Sequence, residues 1–419
     1  MYAVGNKHMK KNNYALVYFS YALLVIAYFM TCLIRTSGGV LLPGISQTMG
    51  FASAAVGLIS GMYFYGYTVM QPFCGRMCDN KGPIRMEIGG LVVFACGLLL
   101  FALAKNVFTL CVARFLLGVG AGPAFCGIMV FQARALPSHL FSKFMGFTIM
   151  FGHLGGVVAV TPLGYAVDIF GYKAVHYALV VFVLAIAVLL FVMNRCLPFE
   201  RAPEDKEKDK GGVLEGFRIM YHSRKLIVLV AVWSVMMMLQ MNLVGLWGVS
   251  WISDVCSFSG DTARNCISMG GIGVLAGACL IACTGNRLSS SVVWLRGFYL
   301  LQLIGLSALI LGVSFCWHWT VLAALMFVIG MSLGLVNVLC NVFLYKTVGG
   351  GLVGTVTGAC NVVLFLCVLL SQWFSGAFIQ KWGEMAVCPG IAAPSAFFIL
   401  SVIVGLIIFC PFCTTAYDE

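Results

Sequence analysis

The stretch Gly75-Arg-Met-Cys-Asp-Asn-Lys-Gly-Pro-Ile-Arg85 is a short cationic connection between two long apolar runs. Such a connection is typical of two helices that leave and re-enter a membrane on the same side. The chain around it is 61% hydrophobic and only 9% charged. A soluble domain cannot solvate this much apolar surface, so the sequence predicts a protein embedded in lipid.

The remaining apolar runs are continuous, and each is about 20 residues long, which is the length that spans a bilayer as a helix. In lipid the backbone must satisfy its own hydrogen bonds, so helices or a closed barrel are possible, and continuous runs favour helices. We therefore predict an all-α membrane protein with twelve transmembrane helices in two six-helix bundles. The helices are expected at about 14–36, 52–75, 87–104, 107–133, 143–167, 174–196, 226–252, 268–285, 295–316, 318–345, 352–379 and 391–412.

One long hydrophilic segment divides these helices into equal halves. We predict an amino-terminal bundle at 1–196, a charged cytoplasmic linker at 197–225 and a carboxy-terminal bundle at 226–419. The linker carries charge on almost every residue at its centre and cannot bury a core, although a short interfacial helix is expected near Leu214–Tyr221. Equal halves are typical of a duplicated fold with a pseudo-two-fold axis along the membrane normal.

The net charge of +11 is consistent with a nucleic-acid protein, but the distribution of the cations argues against one. If the helices alternate in direction, most of the lysines and arginines outside the helices lie on one side. The opposite side holds Lys105, Lys173, Arg264 and Lys381. This asymmetry predicts that both termini are cytoplasmic.

The first apolar helix is too long for a signal peptide, and no small-residue cleavage site follows it, so we expect it to be retained.

Most of the 18 cysteines lie in apolar helices, where cysteine behaves as a small hydrophobic residue. Cys256 and Cys266 share an external loop, where a disulfide and two free thiols are both open alternatives. No spacing matches a zinc site, and we expect no metal and no cofactor.

The Gly75–Arg85 stretch resembles the G-x-x-x-D-[RK]-x-G-x-[RK] signature of the major facilitator superfamily. Gly75, Asp79, Gly82 and Arg85 fill its main places, whereas Asn80 replaces the usual basic residue. The corresponding stretch of the second half, which begins at Gly285, lacks the acidic residue.

Two further stretches carry the same resemblance. Arg114-Phe-Leu-Leu-Gly118-Val-Gly120-Ala-Gly122 is similar to the R-x-x-x-G-x-G-x-G pattern of that superfamily, and Gly152-His-Leu-Gly155-Gly156 with Thr161-Pro162 is similar to its fifth helix. The resemblance implies a secondary active transporter, not an enzyme, that works by alternating access.

Arg35–Pro43 and Tyr63–Gln71 look like the sugar-phosphate permease branch of the superfamily. That branch contains exchangers of organophosphates and inorganic phosphate and a non-transporting hexose-phosphate sensor. Similar local patterns occur in amino-acid and nucleoside importers of intracellular bacteria. The expected cargo is a small polar metabolite, anionic or zwitterionic, with the sensor and the amino-acid or nucleoside importer as alternatives.

Arg35 lies about 20 residues into an apolar helix, where an unpaired guanidinium is costly. We expect it to bind an anionic group of the cargo through its planar fork; the alternative is that it snorkels to lipid headgroups. In the phosphate exchangers that this helix resembles, a second arginine in helix 7 also binds phosphate. Val228–Asp254 contains no arginine, which favours a monoanion or a zwitterion.

Polar side chains that recur at helical spacing extend this candidate site. The predicted substrate-binding residues are Arg35, Tyr63, Tyr67, Gln71, His153, Gln240, Trp247, Asn337, Asn341 and Asn361. Gln240 and Trp247 are seven residues apart, which predicts one shared face. The alternative role of all these groups is hydrogen bonding between helices. His153 is the titratable candidate for proton coupling, since the acidic residues lie near helix ends, and a structural histidine is its alternative.

We predict that Gly75, Asp79, Gly82, Arg85 and Arg114 form a conformational latch. The Asp79 carboxylate is expected to meet the positive end of helix 11 near Gly351–Thr355, with help from Arg85. Arg114 has two alternatives, a buried structural or coupling role and an interfacial anchor.

The expected partners are a small-molecule substrate, the lipid bilayer and a coupling proton or counter-anion, without nucleic acid. The compact loops favour a monomer in a bacterial inner (plasma) membrane.

Overall fold

The computed structural model describes residues 11–50, 53–159, 161–196, 214–285, 291–349, 351–385 and 392–415. Most of the predicted linker, 197–213, lies outside the described residues. The described part is built from α-helices, without strands, which confirms the predicted fold class.

The helices of the first half begin and end at the following residues. They are α1 (Lys11–Thr36), α2 (Gly38–Met49), α3 (Ser53–Lys81), α4 (Pro83–Leu103), α5 (Val107–Ala135), α6 (Phe141–Val158), α7 (Thr161–Phe170) and α8 (Tyr172–Cys196).

The second half begins with the short helix α9 (Glu215–His222), which confirms the helix expected near 214–221. It continues with α10 (Arg224–Asn242), a π-helical segment (Leu243–Trp247), α11 (Gly248–Cys256), α12 (Gly260–Thr284), α13 (Val292–Ser314), α14 (Trp319–Val348), α15 (Val353–Met385) and α16 (Ala393–Thr414).

Each of the twelve predicted spans corresponds to one long helix or to two helices in succession within the described residues. By length and hydropathy, ten of the described helices can cross a membrane, or eleven if the bent pair α6 and α7 is one span. The 29-residue helix α3 is not among them, because its tyrosines and glycines make it less apolar than the others.

The turn expected at 75–85 is much shorter than predicted. Helix α3 continues to Lys81, and Pro83 already begins α4, so the turn is confined to Gly82. Gly82 has a φ of 93°, a conformation that glycine adopts without strain. Pro83 then supplies the fixed φ that suits the first position of a helix.

Contacts within the chain define two compact units. Unit 1 comprises the described residues of Met1–Phe141, Phe151–Gly216 and Val348–Ala359. In this unit α5 packs against α1, α3 and α4. Gly118 on α5 allows this helix to lie close to α3. A side chain at Gly118 would collide with the backbone carbonyl oxygen of Tyr63 on α3.

Unit 2 comprises the described residues of Ser142–Met150, Phe217–Thr347 and Cys360–Glu419. Here α16 packs against α10 and α13, and α11 packs against α12. The first two turns of α15 therefore belong to unit 1, whereas most of that helix belongs to unit 2.

Candidate functional site

Arg35 lies near the end of α1 in unit 1, surrounded by aromatic side chains. Its Nη2 atom contacts the sulfur of Cys32 at 3.6 Å. It also interacts electrostatically with Tyr28, Tyr63 and Tyr67. Among the described residues, no carboxylate contacts Arg35. The groups shown near the guanidinium are therefore a thiol and three tyrosines, which are neutral at pH 7 and leave its charge uncompensated.

Tyr63, Tyr67 and Gln71 are four residues apart along α3 and so lie on one face of that helix. Tyr63 and Tyr67 are buried, with parallel rings whose centroids are 6.5 Å apart. The Tyr63 hydroxyl donates to the carbonyl oxygen of Thr31 at 3.1 Å. Gln71, one turn further, turns toward α5, where its Nε2 contacts the carbonyl oxygen of Gly122 at 3.5 Å.

His153 on α6 lies close enough to Arg35 for their charges to interact. The structure therefore brings Arg35, Tyr63, Tyr67 and His153 into one cluster of unit 1. Tyr28, which is not among the predicted binding residues, belongs to the same cluster. The signal was present, because Tyr28 precedes Arg35 by seven residues and so lies on the same face of α1.

Arg114 on α5 is only 2% exposed. Its Nη1 donates to the carbonyl oxygen of Ile34 at 2.9 Å, and its guanidinium lies 5.6 Å from the centre of the Tyr63 ring. Its Nε and Nη2 atoms have no hydrogen-bond partner among the described residues. Arg114 thus connects α5 to the end of α1, directly before the break that begins α2.

In unit 2, Asn337 and Asn341 on α14 contact each other. The Nδ2 atom of Asn341 donates to the backbone oxygen of Asn337 at 2.8 Å, and both side chains are buried. Asn361 on α15 is also buried.

Gln240 and Trp247 do not have the common surroundings that their spacing predicts. Gln240 lines a small apolar cavity with Gln302, whereas the indole nitrogen of Trp247 donates to Ser375 on α15 at 2.9 Å. The π-helical segment Leu243–Trp247 lies between the two residues, and its wider turn changes the angular position of the residues that follow it. The spacing of seven residues assumed a regular α-helix, so it did not anticipate this segment.

Asp79, at the end of α3, lies against the first turn of α15. Its Oδ2 accepts hydrogen bonds from the backbone nitrogen of Thr355 at 2.6 Å and from the Thr355 hydroxyl at 2.7 Å. Its Oδ1 accepts from the backbone nitrogen of Gly354 at 3.3 Å. The first N–H groups of a helix have no partner within the helix, so Asp79 caps α15 from another segment of the chain.

The cation that accompanies Asp79 is Arg134, at the end of α5. Its Nη2 lies 3.3 Å from Oδ1 of Asp79 and also donates to the carbonyl oxygen of Gly351 at 3.1 Å. Its Nη1 donates to the backbone oxygen of Asp79 at 3.0 Å. Arg85, which was expected to assist, is exposed and makes no described contact with Asp79. A part for Arg85 in the latch stays a prediction, whereas Arg134 makes the contact that the structure describes.

Gly75 lies one turn before Asp79 on α3. A side chain at Gly75 would collide with the backbone oxygen of Gly354, so glycine is what allows α3 and the start of α15 to touch. The role of these contacts as a conformational latch stays a prediction.

The long apolar helices are those of a multi-pass, all-α integral membrane protein. The chain belongs to the Major Facilitator Superfamily, whose family model matches residues 24–372. The family consists of membrane transporters, not enzymes. This match confirms the superfamily resemblance, while the sugar-phosphate permease branch stays a prediction.

The chain is similar to the sialic acid transporter NanX of Escherichia coli K12, at 21% identity over 261 residues, which cover 60% of this chain and 61% of that protein. It is also similar to the probable sulfoacetate transporter SauU of Cupriavidus necator, at 31% identity over 139 residues, which cover 33% of this chain and 32% of that protein. The matched region thus spans less than two thirds of either relative.

Among solved structures, the proton:xylose symporter XylE matches with a TM-score of 0.73 at 14% sequence identity. The match covers 95% of this chain and 96% of that chain. At this identity the likeness supports the fold alone.

Proposed function

We propose that this protein is a secondary active transporter that moves a small polar metabolite with an anionic group by alternating access. In this proposal the chain works as two six-helix halves, 1–196 and 226–419, joined by the charged linker 197–225. The polar side chains around Arg35 in the first half and those of α14 and α15 in the second half are the candidates for binding the cargo.

The observation that carries the proposal is the environment of Arg35. A guanidinium inside an apolar helix needs a counter-charge or a set of acceptors to offset its desolvation. The described residues that interact with Arg35 are a cysteine and three tyrosines, none of which is anionic at neutral pH. A carboxylate or phosphate group of a substrate would supply the missing charge through two parallel hydrogen bonds.

The names of the two relatives support an acidic cargo, since sialic acid and sulfoacetate are both organic acids. The sugar-phosphate permease branch that Arg35–Pro43 resembles also carries anions. His153, beside Arg35, is the group we propose for proton coupling, with exchange against a counter-anion as the other mode.

We further propose that the contact between Asp79 and the first turn of α15 acts as a latch. It forms in one conformation of the transport cycle and breaks in another, so its strength sets the balance between the two. Arg134 takes the place in this latch that the sequence analysis gave to Arg85. The asymmetry of the cations supports an orientation with both termini in the cytoplasm of a bacterial cell.

The proposal is tested by counterflow in proteoliposomes. Purified protein is reconstituted with a panel of unlabelled organic acids, amino acids, nucleosides or sugar phosphates inside, and uptake of the labelled compound is measured. Accumulation of an anionic compound is expected. A non-transporting sensor binds ligand without moving label, and this outcome would overturn the proposal.

The role of Arg35 is tested by the thermal shift that each transported compound produces. We expect the shift to vanish in Arg35→Ala and to weaken in Arg35→Lys, which keeps the charge but loses the planar fork. Arg296→Ala is the matched control, because Arg296 holds the backbone oxygens of Phe412 and Thr415 in unit 2. An undiminished shift in Arg35→Ala would exclude Arg35 as the anchor.

A further inference from the structure

The turn between α13 and α14 contains a cysteine at a position that normally holds glycine. The Trp317 nitrogen donates to the Gly312 oxygen at 2.8 Å and the Cys316 nitrogen donates to the Val313 oxygen at 3.1 Å, which together form a Schellman motif. Cys316 occupies its left-handed position, with a φ of 48°. A residue with a side chain is strained there, so its presence requires an explanation other than the turn itself.

The side chain of Cys316 reaches the end of α11, where Cys256 is the last residue. The Cys316 sulfur donates to the carbonyl oxygen of Val255, and the Cys256 sulfur donates to the carbonyl oxygen of Val313, both at 3.5 Å. Each thiol therefore contacts the backbone beside the other. The two thiols also interact directly with each other.

Both members of this pair are accessible to a reagent. Cys316 is exposed and Cys256 is partly exposed. Cys266, the partner that the sequence suggested for Cys256, is buried, and its sulfur donates to the carbonyl oxygen of Trp319 at 3.4 Å. Distance and access thus favour Cys316 over Cys266 as the partner of Cys256.

We propose that Cys256 and Cys316 form a disulfide bond that joins the end of α11 to the α13–α14 turn. The oxidant is a small-molecule disulfide. One thiolate attacks it and releases one thiol, and the second thiolate then attacks the mixed disulfide and releases the other thiol. Two protein thiols and one small disulfide become one protein disulfide and two small thiols. The proposed orientation places both cysteines on the outer, more oxidising side of the membrane.

The bond would restrain the outer end of this helix. Segment α11 follows the π-helical segment Leu243–Trp247, where the regular hydrogen-bond ladder of the helix is interrupted. A covalent link at Cys256 would fix the far end of α11, so that its movement about the π-helical segment becomes restricted. Oxidation of this pair would therefore regulate the movement of α11.

The test is disulfide mapping of the purified full-length protein. The protein is treated with oxidised or reduced glutathione, free thiols are blocked, and peptides are identified by mass spectrometry. A linked peptide pair containing Cys256 and Cys316 is expected after oxidation, together with a rise in Tm of roughly 5 °C. Both should disappear in Cys256→Ser and in Cys316→Ser.

Cys96→Ser is the matched control, since Cys96 is an exposed cysteine of α4 in the other unit, and it should leave both signals unchanged. Linkage of Cys256 to Cys266, linkage of either cysteine to another partner, or glutathione adducts without a protein disulfide would each overturn the proposal. Mapping requires no transport measurement, so its outcome is independent of the proposed transport function.

Discussion

Replacing Asp79 by asparagine tests the contact that caps α15. The carboxylate accepts three hydrogen bonds from Gly354 and Thr355 and pairs with Arg134. An amide has one oxygen in place of two, and its NH₂ group points donors at the donors of α15. Asp79→Asn therefore removes about half of the acceptors and the whole negative charge.

The size of the effect follows from the burial of these groups. Asp79 is 3% exposed and Thr355 is 4% exposed, so solvent screens their interaction weakly. Breaking a buried, hydrogen-bonded charge pair costs about 3–5 kcal/mol, and each hydrogen bond to a charged group contributes about 1.5–3 kcal/mol. Since Arg134 keeps its bond to Gly351, we take about 3 kcal/mol, which is roughly a hundredfold change in an equilibrium constant.

Hydrogen–deuterium exchange of the backbone amides measures this quantity directly. The N–H groups of Gly354 and Thr355 lie in the first turn of α15 and depend on Asp79 for protection. We expect their exchange to accelerate roughly a hundredfold in Asp79→Asn. Val356 serves as an internal reference, because its N–H donates to the Leu352 oxygen at 3.0 Å and retains that partner.

Two results would refute this reasoning. Unchanged exchange at Gly354 and Thr355 would mean that the carboxylate does not hold the helix. Equal acceleration at Val356 and along the rest of α15 would mean that the substitution unfolds the region rather than removing a cap. If the latch has the proposed role, uptake by a normally inserted Asp79→Asn protein should also be slower than in the wild type.

The remaining predictions concern other residues of unit 1. Arg134→Ala should accelerate the same two amides by about tenfold, whereas Arg85→Ala should leave them unchanged, since Arg134 makes the described contact; the reverse order would restore Arg85 as the partner. Gly118→Ala should destabilise the protein by about 1–3 kcal/mol and lower its Tm, because the new methyl group meets the Tyr63 carbonyl. An unchanged Tm would show that α3 and α5 move apart at no cost to accommodate the methyl group. Glu87→Gln should not lower Tm in the same assay, because both carboxyl oxygens are buried without a hydrogen-bond partner among the described residues; a fall of several degrees would reveal a partner.

Hydropathy and helix electrostatics made part of this structure predictable. Long apolar runs specify helices in lipid because the backbone has no alternative there. The position of Asp79 also followed from the sequence, because an acidic residue at a short turn is stabilised by the positive end of a neighbouring helix. The sequence therefore sufficed for the fold class and for the location of this carboxylate.

Side-chain partners were less predictable. Arg85 and Arg134 are both cations close to the turns at helix ends. Only the packing of α5 against α3 decides that Arg134 is the one that reaches Asp79. The pairing of Cys256 with Cys316 joins residues 60 positions apart and depends on a turn that few cysteines adopt. Such choices arise from tertiary contacts, for which local sequence carries no signal.

The π-helical segment Leu243–Trp247 determines the direction in which the side chains of α11 point. One residue corresponds to about 100° around a helix. Deleting a single residue there would rotate the Trp251 indole away from Ser395, to which it donates a hydrogen bond at 2.8 Å. The same deletion would rotate Cys256 away from its present position. The number of residues in this segment therefore decides which neighbours the side chains of α11 meet.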